Sequence, residues 1–104
     1  MPFVDTRKLE VLEKRPGWHG RIFNSPKMTF AHWDFDAGSS IHTHSHDHEE
    51  VWHIIQGELE VTIGKETRAV GPGMAAIIPA RTRHCVNAIT DGKAIVVDYP
   101  LREL

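Results

Sequence analysis

Residues 51–63 read VWHIIQGELEVTI: two β-type runs, 51–55 and 59–63, on either side of the turn signal Gln56-Gly57-Glu58. The second run alternates apolar and polar residues strictly, as a strand with one buried face does. The same grammar extends outward in both directions. Residues 28–35 (MTFAHWDF) alternate up to the turn signal Asp36-Ala37-Gly38. Downstream, Gly64-Lys65 punctuates the chain, TRAV (67–70) runs into the breaker GPGM, AAII (75–78) reads as a short buried run ended by Pro79, and AIVVDY (94–99) follows Asp91-Gly92. Only residues 5–14 could pass for a helix, with Leu9 and Leu12 three apart; they are expected as a short helix or an irregular N-terminal strand. Strands recurring about every 8–12 residues with turns between them predict an all-β sandwich or barrel.

A chain of 104 residues is expected to form one domain with a modest core. The formal net charge of -2 and the scattered lysines and arginines leave no basic footprint for nucleic acid. The N-terminal MPFVDTRKLEVLEK mixes charges with apolar residues, so neither a signal peptide nor a membrane anchor is expected. Cys85 is the only cysteine, which excludes an internal disulfide and agrees with a reducing cytoplasm.

The chemistry is concentrated in Ile41–Glu50, IHTHSHDHEE, where four of the eight histidines fall on alternate residues. In a strand, His42, His44, His46 and His48 would share one face. They cannot share one ion: at about 3.3 Å per residue, His42 and His48 would stand roughly 20 Å apart. Glu50 could join His44 and His46 if the chain reverses between 46 and 50. Asp47-His48-Glu49 is polar enough for a hairpin turn, with VWHII as the returning strand. Imidazole suits Zn, Cu, Fe and Ni, and a carboxylate extends the range towards Mn. Such a set, with open positions, serves catalysis better than structural clamping. A fourth ligand must come from elsewhere: His84 is the leading candidate, with His19 and His32 behind it.

These residues resemble the motifs of the cupins. The first cupin motif is Gly, five residues, His-x-His, three or four residues, Glu, six residues, Gly; Gly38-SSIHT-His44-Ser-His46-DHE-Glu50-VWHIIQ-Gly57 fits it without a gap. The second is Gly, five residues, Pro-x-Gly, two residues, His, three residues, Asn; Gly73-MAAII-Pro79-Ala-Arg81-TR-His84 fits, with Arg81 in place of Gly and Asn87 one residue early. The fifteen residues Glu58–Pro72 between the motifs are similar to the spacing of small prokaryotic cupins. The resemblance, to small single-domain members of the RmlC-like superfamily, implies a jelly-roll barrel (a double-stranded β-helix). It implies one divalent transition metal per chain (Mn, Fe, Ni, Cu or Zn) on His44, His46, Glu50 and His84, and a small organic ligand or substrate. Dioxygenases, isomerases, lyases and cyclase-like proteins resemble the pattern equally, so the fold does not choose the reaction. The rival class is a non-catalytic module that senses or carries a small ligand or the metal. A homodimer is implied as well, to cover strand edges expected at Phe3-Val4 and AIVVDYPL.

Other residues carry weaker expectations. His42 and His48 are expected beside the ligands or facing solvent. Trp52 and Ile54 share the parity of Glu50 and should point inward; His53, on the opposite parity, should be packed or hydrogen-bonded without a chemical role. Arg81 and Arg83 read as surface residues that could meet an anion, and Cys85 as a small buried hydrophobe. Arg81 sits where the motif needs a left-handed turn, which arginine tolerates poorly.

Overall fold

The computed structural model describes residues 2–104. After a 3-10 turn at Thr6–Lys8 come ten strands: β1 (Leu12–Arg15), β2 (Trp18–Asn24), β3 (Thr29–Phe35), β4 (Ser40–His44), β5 (Glu49–Gln56), β6 (Leu59–Ile63), β7 (Glu66–Val70), β8 (Ala75–Ile78), β9 (His84–Ala88) and β10 (Gly92–Tyr99). They form a six-stranded sheet in the order β1-β2-β3-β10-β5-β8 and a four-stranded sheet in the order β4-β9-β6-β7, with every pairing antiparallel. The fold is the all-β jelly-roll barrel that the strand spacing and the motifs predict.

Alternation decides what is inside. Strand β3 buries Thr29, Ala31, Trp33 and Phe35 and turns Phe30 and His32 outward, which resolves the face that its pattern left open. Strand β5 buries Glu50, Trp52 and Ile54, as their shared parity predicts. Trp18 stacks edge-on against Trp52 at 5.8 Å and Trp33 at 6.3 Å, and lies 5.4 Å from Phe35, so four aromatic rings form the floor between the sheets. Glycine at position 20 is what admits Trp33: a Cβ there would collide with its indole ring.

Several expectations are corrected. Residues 47–49 do not close a hairpin. Strand β4 pairs with β9 and β5 pairs with β10 and β8, so the chain crosses from one sheet to the other between His44 and Glu49. The crossing lets the histidines of β4 and Glu50 of β5 face each other across the interior, which adjacent strands of one sheet could not do. AIVVDY is no edge: β10 lies in the middle of the larger sheet, between β3 and β5. Phe3 and Val4 are in no strand and are exposed. One edge of the larger sheet is instead AAII, opposite β1; it alternates, with Ala76 and Ile78 buried while Ile77 is 62% exposed. Residues 5–14 divide into the 3-10 turn and the edge strand β1. His53 is exposed on the outer face rather than packed, and Cys85 is only partly buried.

The turn at Arg81 keeps the left-handed conformation usual for glycine, with φ 62°, and its N–H donates to the carbonyl of His46 at 2.7 Å. That bond links the two motifs and holds a conformation costly for arginine. Gly57 is under a harder constraint. Its φ is +82°, and a Cβ there would run into the carbonyl oxygen of Asp91. Gly57→Ala should therefore lower stability by more than the ~1–2 kcal/mol of left-handed strain alone, read from urea unfolding midpoints.

Candidate metal centre

His44 ends β4, His84 begins β9 directly opposite it in register, and His46 follows in the crossing. One ring nitrogen of each lies within 4.8 Å of the other two. All three rings are oriented the same way, by the backbone two residues off. Nδ1 of His44 donates to the carbonyl of His42 at 2.8 Å, that of His46 to the carbonyl of His48 at 3.1 Å, and that of His84 to the carbonyl of Thr82 at 2.8 Å. With the proton held at Nδ1, each ring turns an unprotonated Nε2 to the interior, as carbonyls bonded to the far nitrogen do for metal-binding histidines; that of His46 lies 3.1 Å from Arg102 Nη1. Nε2 of His84 is buried and has no hydrogen-bond partner, a polar atom that needs something to bind. Burial holds His44 and His46 below the ordinary histidine range, which keeps them neutral and able to coordinate.

Glu50 is 3% exposed and borders this cluster from the opposite sheet. Its Oε1 accepts from Trp52 Nε1 at 2.6 Å and stands 3.7 Å from His84 Nε2. Its Oε2 accepts from Arg102 Nη1 at 2.6 Å and stands 3.3 Å from His46 Nε2. Burial acts to raise its pKa, but hydrogen bonds from Asp98 and Trp52 and the charge of Arg102 outweigh it and leave the carboxyl below its usual range. Its cross-strand partner Asp98, on β10, takes the opposite course. Burial, the hydrogen bond to Glu50 and the Glu50 charge push Asp98 up to about 8, so Asp98 carries the proton and Glu50 the charge. His46, Glu50 and Asp98 also make a second group with ligand atoms within 4.8 Å.

The remaining motif histidines are tied elsewhere. His42 Nδ1 meets Arg15 Nη1 at 3.1 Å, and His48 Nε2 donates to the carbonyl of Leu101 at 3.0 Å. His19 contacts Asp36 at 3.1 Å, His32 lies on the outer face of β3, and Arg81 and Arg83 are exposed. A cavity of about 260 Å³ opens onto His44, His84 and Glu50. Its lining includes the apolar Trp33, Trp52, Ile41 and Val86, the cations Lys14, Arg15 and Arg102, and the acids Asp98 and Glu103. Sequence reasoning missed Asp98 and Arg102. Asp98 had a signal, being the lone acid on the inward parity of AIVVDY with Ala94 and Val96; Arg102 had none.

The Glu50–Asp98 pair has a pH signature. Between pH 3.8 and about 8 the folded protein holds an Asp98 proton that the unfolded chain has lost, so this group makes stability fall as pH rises. The lowered groups, Glu50, His44 and His46, act in the opposite sense, but only below about pH 6.5. For chelator-treated protein, the Asp98 contribution between pH 6.5 and 8 should therefore decline by at most about 1.4 kcal/mol per pH unit. Urea unfolding of wild type and Asp98→Asn should give a difference that changes over this window; parallel pH curves would refute the pairing.

Known proteins share this fold. A family model described as "Cupin domain" matches residues 31–100. An uncharacterized protein of Streptomyces coelicolor is 27% identical over 83 residues, covering 80% of this chain and 79% of its own. KdgF from Halomonas sp. superposes with a TM-score of 0.91 at 26% identity, covering 99% of this chain and 96% of that one. An RmlC-like cupin from Shewanella frigidimarina superposes at 0.92 with 21% identity, covering 99% and 94%. Both motifs, the two-sheet barrel and the domain match agree: the chain belongs to the cupin family.

Proposed function

We propose that the chain is a mononuclear metal cupin that binds and acts on a small, oxygen-bearing organic molecule, with His44, His46, His84 and Glu50 holding one divalent transition metal. The observation that carries the reading is the common orientation of three imidazoles, each anchored through Nδ1 to a backbone carbonyl, with their Nε2 atoms converging beside a buried carboxylate. A bound metal would supply Lewis acidity towards substrate oxygens, or redox chemistry if it is iron. The chain's own residues do the rest. Lys14 and Arg15 in the cavity lining favour anionic oxygens, while Trp33, Trp52 and Ile41 give it apolar surface that excludes water. The Glu50–Asp98 pair holds a proton next to the site, and Trp52 Nε1 orients the Glu50 carboxylate.

Dioxygenase, isomerase, lyase and cyclase chemistry all fit this frame, and a substrate screen decides among them. One form of the rival non-catalytic module, a carrier of several ions, needs His42 and His48 as additional ligands. Their contacts with Arg15 and Leu101 favour the single-ion site instead.

No helix among the described residues is long and apolar enough to cross a membrane. We place the protein in the cytoplasm on the strength of its single free cysteine. We also propose a homodimer. An unbroken apolar row, Phe23, Phe30, Val97, Val51 and Ile77, runs in register across five strands of the larger sheet on its outer face. Solvent-facing rows are ordinarily polar, and a second copy would cover this one.

Elemental analysis of untagged protein after dialysis tests the metal reading: one ion per chain is expected in wild type and loss of it in His46→Ala. No retained metal, or loose binding of several ions in both proteins, would overturn it. For the dimer, Val97→Glu should convert a two-chain species to one chain in light scattering. A wild type that is already a single chain at high concentration would sink the proposal.

A further inference from the structure

The chain does not leave the barrel after β10. Residues 100–104 fold back over the site, and three points pin them. The Arg102 N–H donates to Thr29 Oγ1 at 2.8 Å, His48 Nε2 donates to the Leu101 carbonyl at 3.0 Å, and Leu104 packs against the core. From this strap the Arg102 guanidinium reaches inward. Its Nη1 lies 2.6 Å from Glu50 Oε2, 3.1 Å from His46 Nε2 and 3.6 Å from Asp98 Oδ1.

The contact with His46 has a consequence. With its proton held at Nδ1 by the His48 carbonyl, the His46 ring has one lone pair, on Nε2. Arg102 donates to that lone pair, and a metal would require the same one. Both cannot use it at once. The same Nη1 also neutralises Glu50, whose charge, buried at 3% exposure, would be costly with no cation beside it. One buried carboxylate and one imidazole lone pair thus have two candidate cations, one of them built into the chain.

Resting on the metal reading above, we propose that Arg102 is an internal counter-cation that closes the site when no metal is bound, and that metal loading drives its guanidinium off His46 Nε2. The strap supplies the means. His48 holds His46 through its carbonyl and the strap through its ring, so ligand and strap share one residue. Metal entry and release of Arg102 are then a single exchange of cations, and the apparent metal affinity is the intrinsic affinity multiplied by the fraction of molecules in which Arg102 is off the site.

The test uses the full chain, stripped with chelator and titrated with Zn²⁺, a diamagnetic probe. Calorimetry reads binding and nitrogen-15 NMR reads exchange of the Arg102 guanidinium hydrogens. Before Zn²⁺ these hydrogens should exchange slowly; at saturation their exchange should accelerate by about tenfold or more, and Arg102→Gln should bind Zn²⁺ about tenfold tighter or more than wild type. Wild type saturated with Zn²⁺ while Arg102 stays protected overturns the exchange and leaves the metal site standing. That measurement needs no variant to fold. A tighter-binding Arg102→Gln with unchanged wild-type protection would be simple charge repulsion and also overturns it. Absence of Zn²⁺ binding in both proteins overturns the metal reading and the exchange together.

Discussion

The charge of Glu50, buried between two sheets, is the constraint on which the site depends. A carboxylate at 3% exposure persists only if every neighbour compensates it. Here one oxygen takes the Trp52 indole N–H, the other the Arg102 guanidinium, and Asp98 carries the proton that keeps two adjacent acids from repelling each other. Remove Arg102 with nothing in its place and the charge is left unpaired in a low-dielectric interior, at a cost of about 3–5 kcal/mol. The aromatic floor belongs to the same arrangement. Trp52, which reaches Glu50, packs edge-on against Trp18, Trp18 packs against Trp33, and Trp33 fits because residue 20 has no side chain.

A second regularity prepares the three histidines. Each ring bonds to a carbonyl two residues away in its own segment, so the backbone sets the tautomer without recruiting a distant partner. Local bonds of this kind leave Nε2 unprotonated wherever the segment goes. Bringing the segments together is a separate task. The register of β4 with β9 aligns His44 with His84, and the link from Arg81 N–H to the His46 carbonyl joins the two motifs at the crossing. That link also helps hold the turn at Arg81, whose φ of 62° disfavours a side chain.

Much of this was readable in the chain because periodicity and spacing are local. Alternation in LEVTI and in MTFAHWDF specified strands, the parity of Glu50 with Trp52 and Ile54 specified an inward set, and the two motifs named the four residues that the fold brings together. The misreadings were of another kind. AIVVDY was expected at an edge and lies at the centre, AAII was expected to be buried and is half exposed, and the residues between His46 and Glu50 were expected to turn a hairpin. Each of these depends on which strand lies beside which. Strand order is set by packing the whole chain at once, and no short window contains it.

The sequence by itself determined the strand periodicity, the shared inward parity of Glu50, Trp52 and Ile54, and the spacing that identifies the cupin pattern, because those properties repeat every two residues or lie within one motif. Only the tertiary structure decided that β4 and β5 belong to opposite sheets, that Asp98 pairs with Glu50 across β10, and that Arg102 returns from the C-terminal strap to the lone pair of His46. The physical reason is distance along the chain. Glu50 meets partners 48 and 52 residues away, and such contacts are selected by burying a charge, a requirement that exists only once the interior has formed.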